Sequence, residues 1–140
     1  MTILSSADYP AIRAALDVSL NAQQLTDATI GQDIFVGAAE AELLRRVPDA
    51  ASRTGDDLKR VERALVWLTA ALLAHSVVRI TSMSVQTRDL SYSRQSFDPE
   101  RKAAELRGRA EAEIVMLLTP GEATPSRPTM FTVAAGYRGR

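Results

Sequence analysis

From Ala64 to Val78 the chain reads Ala-Leu-Val-Trp-Leu-Thr-Ala-Ala-Leu-Leu-Ala-His-Ser-Val-Val, an apolar run broken only by Thr69, His75 and Ser76. Fifteen residues are too few for a bilayer span, which takes about 20. At helical spacing Leu58, Val61, Leu65, Leu68, Leu72 and then His75 or Ser76 form one stripe. Beyond Ala64, however, Val66, Trp67, Ala70, Ala71, Leu73, Ala74, Val77 and Val78 cover the other faces. A helix that is apolar all round is buried all round. The sequence therefore predicts a central helix from Asp56-Asp57 to about Arg79, with acids at its start and a base at its end to complement its dipole. Its second face either packs inside the monomer or meets a neighbouring subunit.

Three more helices are predicted around it. Ser6 or Asp8 caps the first, Pro10 suits its first turn, and Ile12, Leu16 and Leu20 recur at four-residue spacing. The second starts at Thr26 or Asp27, carries Ile30, Ile34, Ala38, Ala41, Leu44 and Val47 along one face, and stops at Pro48. Gly31 and Gly37 within it either are tolerated or allow another helix to approach closely. Asp49 to Gly55 is a loop by its turn chemistry. The last helix starts at Asp98-Pro99, a cap followed by a proline at the first helical position, and buries Ala103, Leu106, Ala110, Ile114 and Leu117 or Leu118.

Between the last two helices, Ile80 to Phe97 is rich in Ser, Thr, Gln and Arg. Alternation in Met83-Ser84-Val85 and in Leu90-Ser91-Tyr92-Ser93, around Gln86-Thr87-Arg88-Asp89, predicts a short β-hairpin or extended loop. Such a pair needs packing against its own helices or a neighbour. Thr119 to Arg140 holds Pro120, Pro125 and Pro128 with no helical period. Its second half, Thr129 to Ala135, has the look of a strand, and an extended peptide with alternating anchors can add to a partner's sheet. The expected architecture is thus mainly α: a small four-helix domain over residues 1–118 with a hairpin or extended loop, then an extended tail over 119–140.

Composition narrows the chemistry. The chain has 140 residues, with 17 basic and 17 acidic side chains, no cysteine and one histidine. Zero net charge argues against a dedicated nucleic-acid binder. Without cysteine there is no disulfide frame, Cys-ligated zinc, iron–sulfur cluster or thiol nucleophile. His75 reads as a buried or partly buried histidine satisfied by one neighbour, not a ligand or base. Asp56-Asp57 reads as helix-start charge. Arg79, Arg88, Arg94 and Arg101 read as a solvated or interfacial surface, not a phosphate grip. No nucleotide-binding motif occurs. The N-terminus lacks the basic start and long apolar core of a secretory signal. No cofactor or metal is expected, and the composition argues against an enzyme.

The order of parts resembles the head–tail connector (adaptor) family of tailed bacteriophages and gene-transfer agents. Asp8-Tyr-Pro-Ala-Ile-Arg-Ala-Ala-Leu16, Leu25-Thr-Asp-Ala-Thr-Ile30 and Ala38-Ala-Glu-Ala-Glu-Leu43 are similar to the first two helices of that family. The long helix with Arg63-Ala-Leu-Val-Trp-Leu68, the polar segment ending Asp89-Leu-Ser-Tyr-Ser93 and the helix from Asp98 come in the same order. The resemblance covers Asp8 to Leu118. It implies a non-enzymatic virion protein, located at the head–tail interface and in the host cytoplasm during assembly. Its partners would be the portal protein, the next neck or tail protein (stopper or terminator) and itself, as a ring of twelve subunits. The ring would extend the DNA channel, with only non-specific proximity to DNA and no membrane contact. On this reading Thr129, Met130, Phe131, Thr132, Val133, Tyr137, Arg138 and Arg140 engage the portal, and Trp67, Met83, Val85, Leu90 and Tyr92 lie between subunits. The alternative is a small bacterial helical adaptor that binds one protein or peptide partner.

Overall fold

A computed structural model of the chain describes residues 2–16, 22, 24–84 and 98–118, with backbone alone over 78–84. The described residues form five α-helices: α1 (Tyr9–Ala15), α2 (Asp27–Ile30), α3 (Ala38–Arg46), α4 (Gly55–Ser84) and α5 (Pro99–Leu118). Among the described residues there is no strand.

The central helix is as expected. Val61, Ala64, Leu65, Val66, Leu68, Thr69, Ala70, Ala71, Leu73, Ala74 and Val77 of α4 are all buried. α5 makes the most extensive contact with it, through Ala103, Leu106, Ala110, Ile114 and Leu117. Glu113 near the end of α5 meets Arg60 and Arg63 near the start of α4, at 3.3 and 3.5 Å, so the two helices run antiparallel. α1 and α3 pack on α4 from the N-terminal half of the chain. One buried cluster joins Leu4, Ile12, Leu16, Leu25 and Ile30 to Leu43, Leu65, Leu73, Leu106 and Leu117.

Local chemistry sets the helix starts. Thr26 Oγ1 accepts the Thr29 amide at 3.2 Å at the head of α2. Asp98 Oδ1 accepts the Glu100 and Arg101 amides at 3.0 and 3.2 Å, and Pro99 occupies the first helical position, as the sequence predicts. Gly55 opens α4 at φ 63°, a left-handed conformation that a side chain would strain. Arg13 closes the space between α1 and α2: its Nε donates to the Leu25 carbonyl at 2.8 Å, and it also pairs with Asp27.

The second expected helix is not one helix, which corrects the helix count from four to five among the described residues. α2 ends at Gly31, Gln32 is extended at ψ 143°, and Asp33–Gly37 form a π-turn before α3 begins. Each break rotates the residues beyond it about the helix axis. The middle of the expected core stripe therefore turns over: Ile34 is 66% exposed and Ala38 and Ala41 also face solvent, while Ile30 and Val47 at its two ends are buried as expected and Leu44 is half-buried. Phe35, Val36, Ala39 and Leu43 are buried in place of the residues turned outward. Gly31 permits a close approach here. A Cβ at that position would sit 2.9 Å from the Tyr9 hydroxyl and 3.2 Å from the Asp27 carbonyl oxygen.

The hairpin needs a further correction. Ile80 to Ser84, including Met83 at its expected start, continue α4 as helix. An alternating pattern of only a few residues is also compatible with one more turn of a long helix. Residues 85–97, and with them Val85, Leu90 and Tyr92, lie outside the described residues, as does the whole tail 119–140.

Candidate interaction surfaces

Among the described residues, the antiparallel register of α4 and α5 leaves α4 extending past the start of α5. With Arg60 and Arg63 level with Glu113, Pro99 falls opposite about His75 to Val77. The backbone of α4 then continues to Ser84, ~10 Å past the start of α5 at 1.5 Å per residue. Met83 lies on this overhang. Trp67 lies two turns into the packed part of α4, partly buried against the core. The structure thus separates the expected interface residues that it describes: Trp67 lies against the core and Met83 on the stretch of α4 beyond the start of α5.

His75 departs from expectation. It is exposed, although Ala74 and Val77 close by in the helix are buried. The helical face that carries it passes out of cover near the start of α5. Thr69, by contrast, is fully buried, and its Oγ1 has no hydrogen-bond partner among the described residues.

At the opposite end, the last turn of α5 leaves Val115, Met116 and Leu118 exposed, Met116 at 40%. The helical period already sets Val115 and Met116 apart from the buried stripe of Ile114 and Leu117, and the structure settles the open choice by burying Leu117 and exposing Leu118. The packing against α4 decides only between Leu117 and Leu118. Ile34 on the π-turn is also a large exposed apolar side chain.

Charged pairs hold the helices in place around these surfaces. Arg46 of α3 clasps Glu111 of α5 through both carboxylate oxygens, with Nη2 donating to Oε1 at 2.6 Å. One turn earlier Arg107 of α5 donates to Glu42 of α3 at 3.2 Å. The two pairs advance together along both helices, so α3 and α5 run parallel. The hydrogen bond from Arg46 lowers the Glu111 pKa from the usual carboxylate value, and the same bond raises the Arg46 pKa. In the loop before α4, Arg53 Nη1 donates to Asp57 at 2.9 Å. Its Nε lies 2.8 Å from Asp49, but off the N–H direction, so that arm is an ion pair and not an aligned hydrogen bond. Asp49 first and Asp57 second raise the Arg53 pKa. The geometry makes Asp57 the aligned hydrogen-bond acceptor and leaves Asp49 an electrostatic partner.

Among the described residues no group of three or more His, Asp or Glu side chains is placed to hold a metal ion. No described helix is long and apolar enough to cross a membrane. The tail residues Thr129, Met130, Phe131, Thr132, Val133, Tyr137, Arg138 and Arg140 lie outside the described residues. No family model, curated protein or solved structure matches the chain.

Proposed function

We propose that this chain is a head–tail connector: a non-enzymatic virion subunit that joins a ring beneath a portal, extends the DNA channel and presents a docking surface to the next neck protein. The observation that carries the reading is the order of parts. Short N-terminal helices precede one long buried helix, a polar segment, a closing antiparallel helix and a Pro-punctuated end. That order is the basis of the family resemblance.

The surfaces described above are compatible with the role. A ring requires heterologous contacts, in which one face of each subunit meets a different face of the next. Exposed apolar side chains occur on two separate elements, Ile34 before α3 and Val115, Met116 and Leu118 at the end of α5. The overhang of α4 offers a third projection. Equal numbers of acidic and basic residues suit a subunit that lines a DNA passage without gripping it. On this reading Thr129 to Arg140 reach into the portal, and Trp67, Met83, Val85, Leu90 and Tyr92 lie at or near subunit contacts.

The test is assembly. The purified full chain is mixed with the portal protein encoded beside it, and mass and symmetry are read by electron microscopy, with and without residues 119–140. A ring on the portal that is lost on deletion supports both the connector reading and the role of the tail. A ring that survives deletion retains the connector and removes the tail assignment. No association in either form favours the helical adaptor, which binds one protein or peptide partner.

A further inference from the structure

The start of the chain is tied down by a buried carboxylate. Glu40, in the first turn of α3, is only 7% exposed. Its Oε1 accepts the backbone amide of Ile3 at 2.7 Å and that of Leu4 at 3.2 Å. No cation pairs with Glu40 among the described residues, so these two amides are the polar partners that the structure gives it. A buried carboxylate is costly unless hydrogen bonded, and bonds to an ionised acceptor are the stronger kind. Leu4 adds an apolar anchor: at 3% exposure it belongs to the core cluster that also holds Ala39 and Leu43. The segment then ends sharply. Asp8 accepts the Ser5 amide at 2.8 Å and the Ser5 hydroxyl at 3.0 Å, which starts the turn into α1.

We infer that Glu40 and the socket of Leu4 form a docking site for an extended peptide, filled here by the chain's own residues 2–4 and able to take the same segment from a second molecule. The recognised chemistry is a pair of successive backbone N–H groups beside an aliphatic side chain. This is backbone capture with a side-chain pocket, the logic of extended-peptide recognition in general. The inference is independent of the connector reading. Attachment in cis supplies an effective concentration in the millimolar range, so the free segment needs only a roughly millimolar Kd for the tethered one to stay docked.

The test keeps the full chain. Leu4→Asp vacates the socket, because a carboxylate placed there beside Glu40 cannot be buried. A peptide of residues 1–8 is then titrated into the isotope-labelled L4D chain, and amide shifts are followed by NMR. Saturable shifts centred on Ala39, Glu40 and Leu43 are expected. They should be absent with a peptide that itself carries Leu4→Asp. In an L4D/E40A chain the affinity should fall about tenfold or more, the loss expected for bonds to a charged acceptor. Absence of saturable shifts at several millimolar peptide, or equal shifts with the altered peptide, overturns the inference. If the L4D chain fails to fold, hydrogen exchange in the unmodified chain decides. The Ile3 and Leu4 amides should exchange about tenfold or more slowly than that of exposed Thr2. That protection should disappear in E40A and persist in part in E40Q, whose amide oxygen still accepts. Equal exchange at all three positions overturns it.

Discussion

At Thr69 and Gly108 the chain departs from its own stability optimum in opposite environments. Thr69 buries a hydroxyl inside α4 with no hydrogen-bond partner among the described residues. Replacing an unsatisfied polar atom by a methyl of the same shape removes a desolvation penalty of about 1 kcal/mol or more. Thr69→Val should therefore raise the thermal midpoint, and a fall in Tm would show that the hydroxyl is satisfied in solution. Gly108 lies on the exposed face of α5, where an added Cβ would meet nothing within 4 Å. Gly108→Ala should stabilise by about 1 kcal/mol through helix propensity alone, read as a Tm rise of a few degrees. Gly31 is the opposite case, because there the same added Cβ meets the Tyr9 hydroxyl. In the sequence Gly31 and Gly37 look like equivalent small residues within one helix. Only the packing shows that Gly31 sits under a tyrosine and ends α2.

Helices α4 and α5 can be read from the sequence almost in full, because each carries a strong start signal and a long period. The segment from Thr26 to Val47 cannot. A continuous helical spacing carries Ile30 on through Ile34, Ala38 and Ala41, but extended Gln32 and the π-turn rotate those last three outward and leave Ile30 buried. A break of one or two residues leaves little trace in composition, and tertiary packing then decides which face turns inward. Substitutions can check this reversal directly. Leu43→Ala should cost about 2–5 kcal/mol by chemical denaturation, as a fully buried leucine does. Ile34→Ala should fall within about 0.5 kcal/mol of the unmodified chain. Similar costs at both positions would restore the continuous helix. The same element carries a pH signature. Because Arg46 depresses the Glu111 pKa, their bond contributes fully above the ordinary carboxylate range and is lost as pH falls through the lowered value. The stability difference between the unmodified chain and Glu111→Gln should be flat near neutrality and shrink in acid. A difference that grows as pH falls would reverse the assignment. The candidate interface is less legible in the sequence than the helices. Trp67 and Met83 stand out by residue type, but the exposure of Ile34 depends on the break at Gln32 and the choice between Leu117 and Leu118 on the packing against α4, and periodicity specifies neither.

The described helices share one core, from Leu4 at the start of the chain to Leu117 near the end of α5. Trp67 is the single tryptophan and packs against that core. Its fluorescence and the far-UV circular dichroism should therefore report one coincident urea transition. Separate midpoints would mean that the N-terminal helices and the α4–α5 pair unfold as different units. The parallel ladder between α3 and α5 has a consequence for how this body is built in time. Glu42 and Arg107, like Arg46 and Glu111, stand 65 residues apart in the chain. The α4–α5 pair is closer in sequence, so its loop closes at lower entropic cost. The ladder then belongs to the late side of the folding barrier, after that pair has formed. Cutting it with Arg46→Ala should leave the refolding rate nearly unchanged and speed unfolding. A molecule fastened in that order is expected to come apart from the α3 side first, with the α4–α5 pair the last to separate.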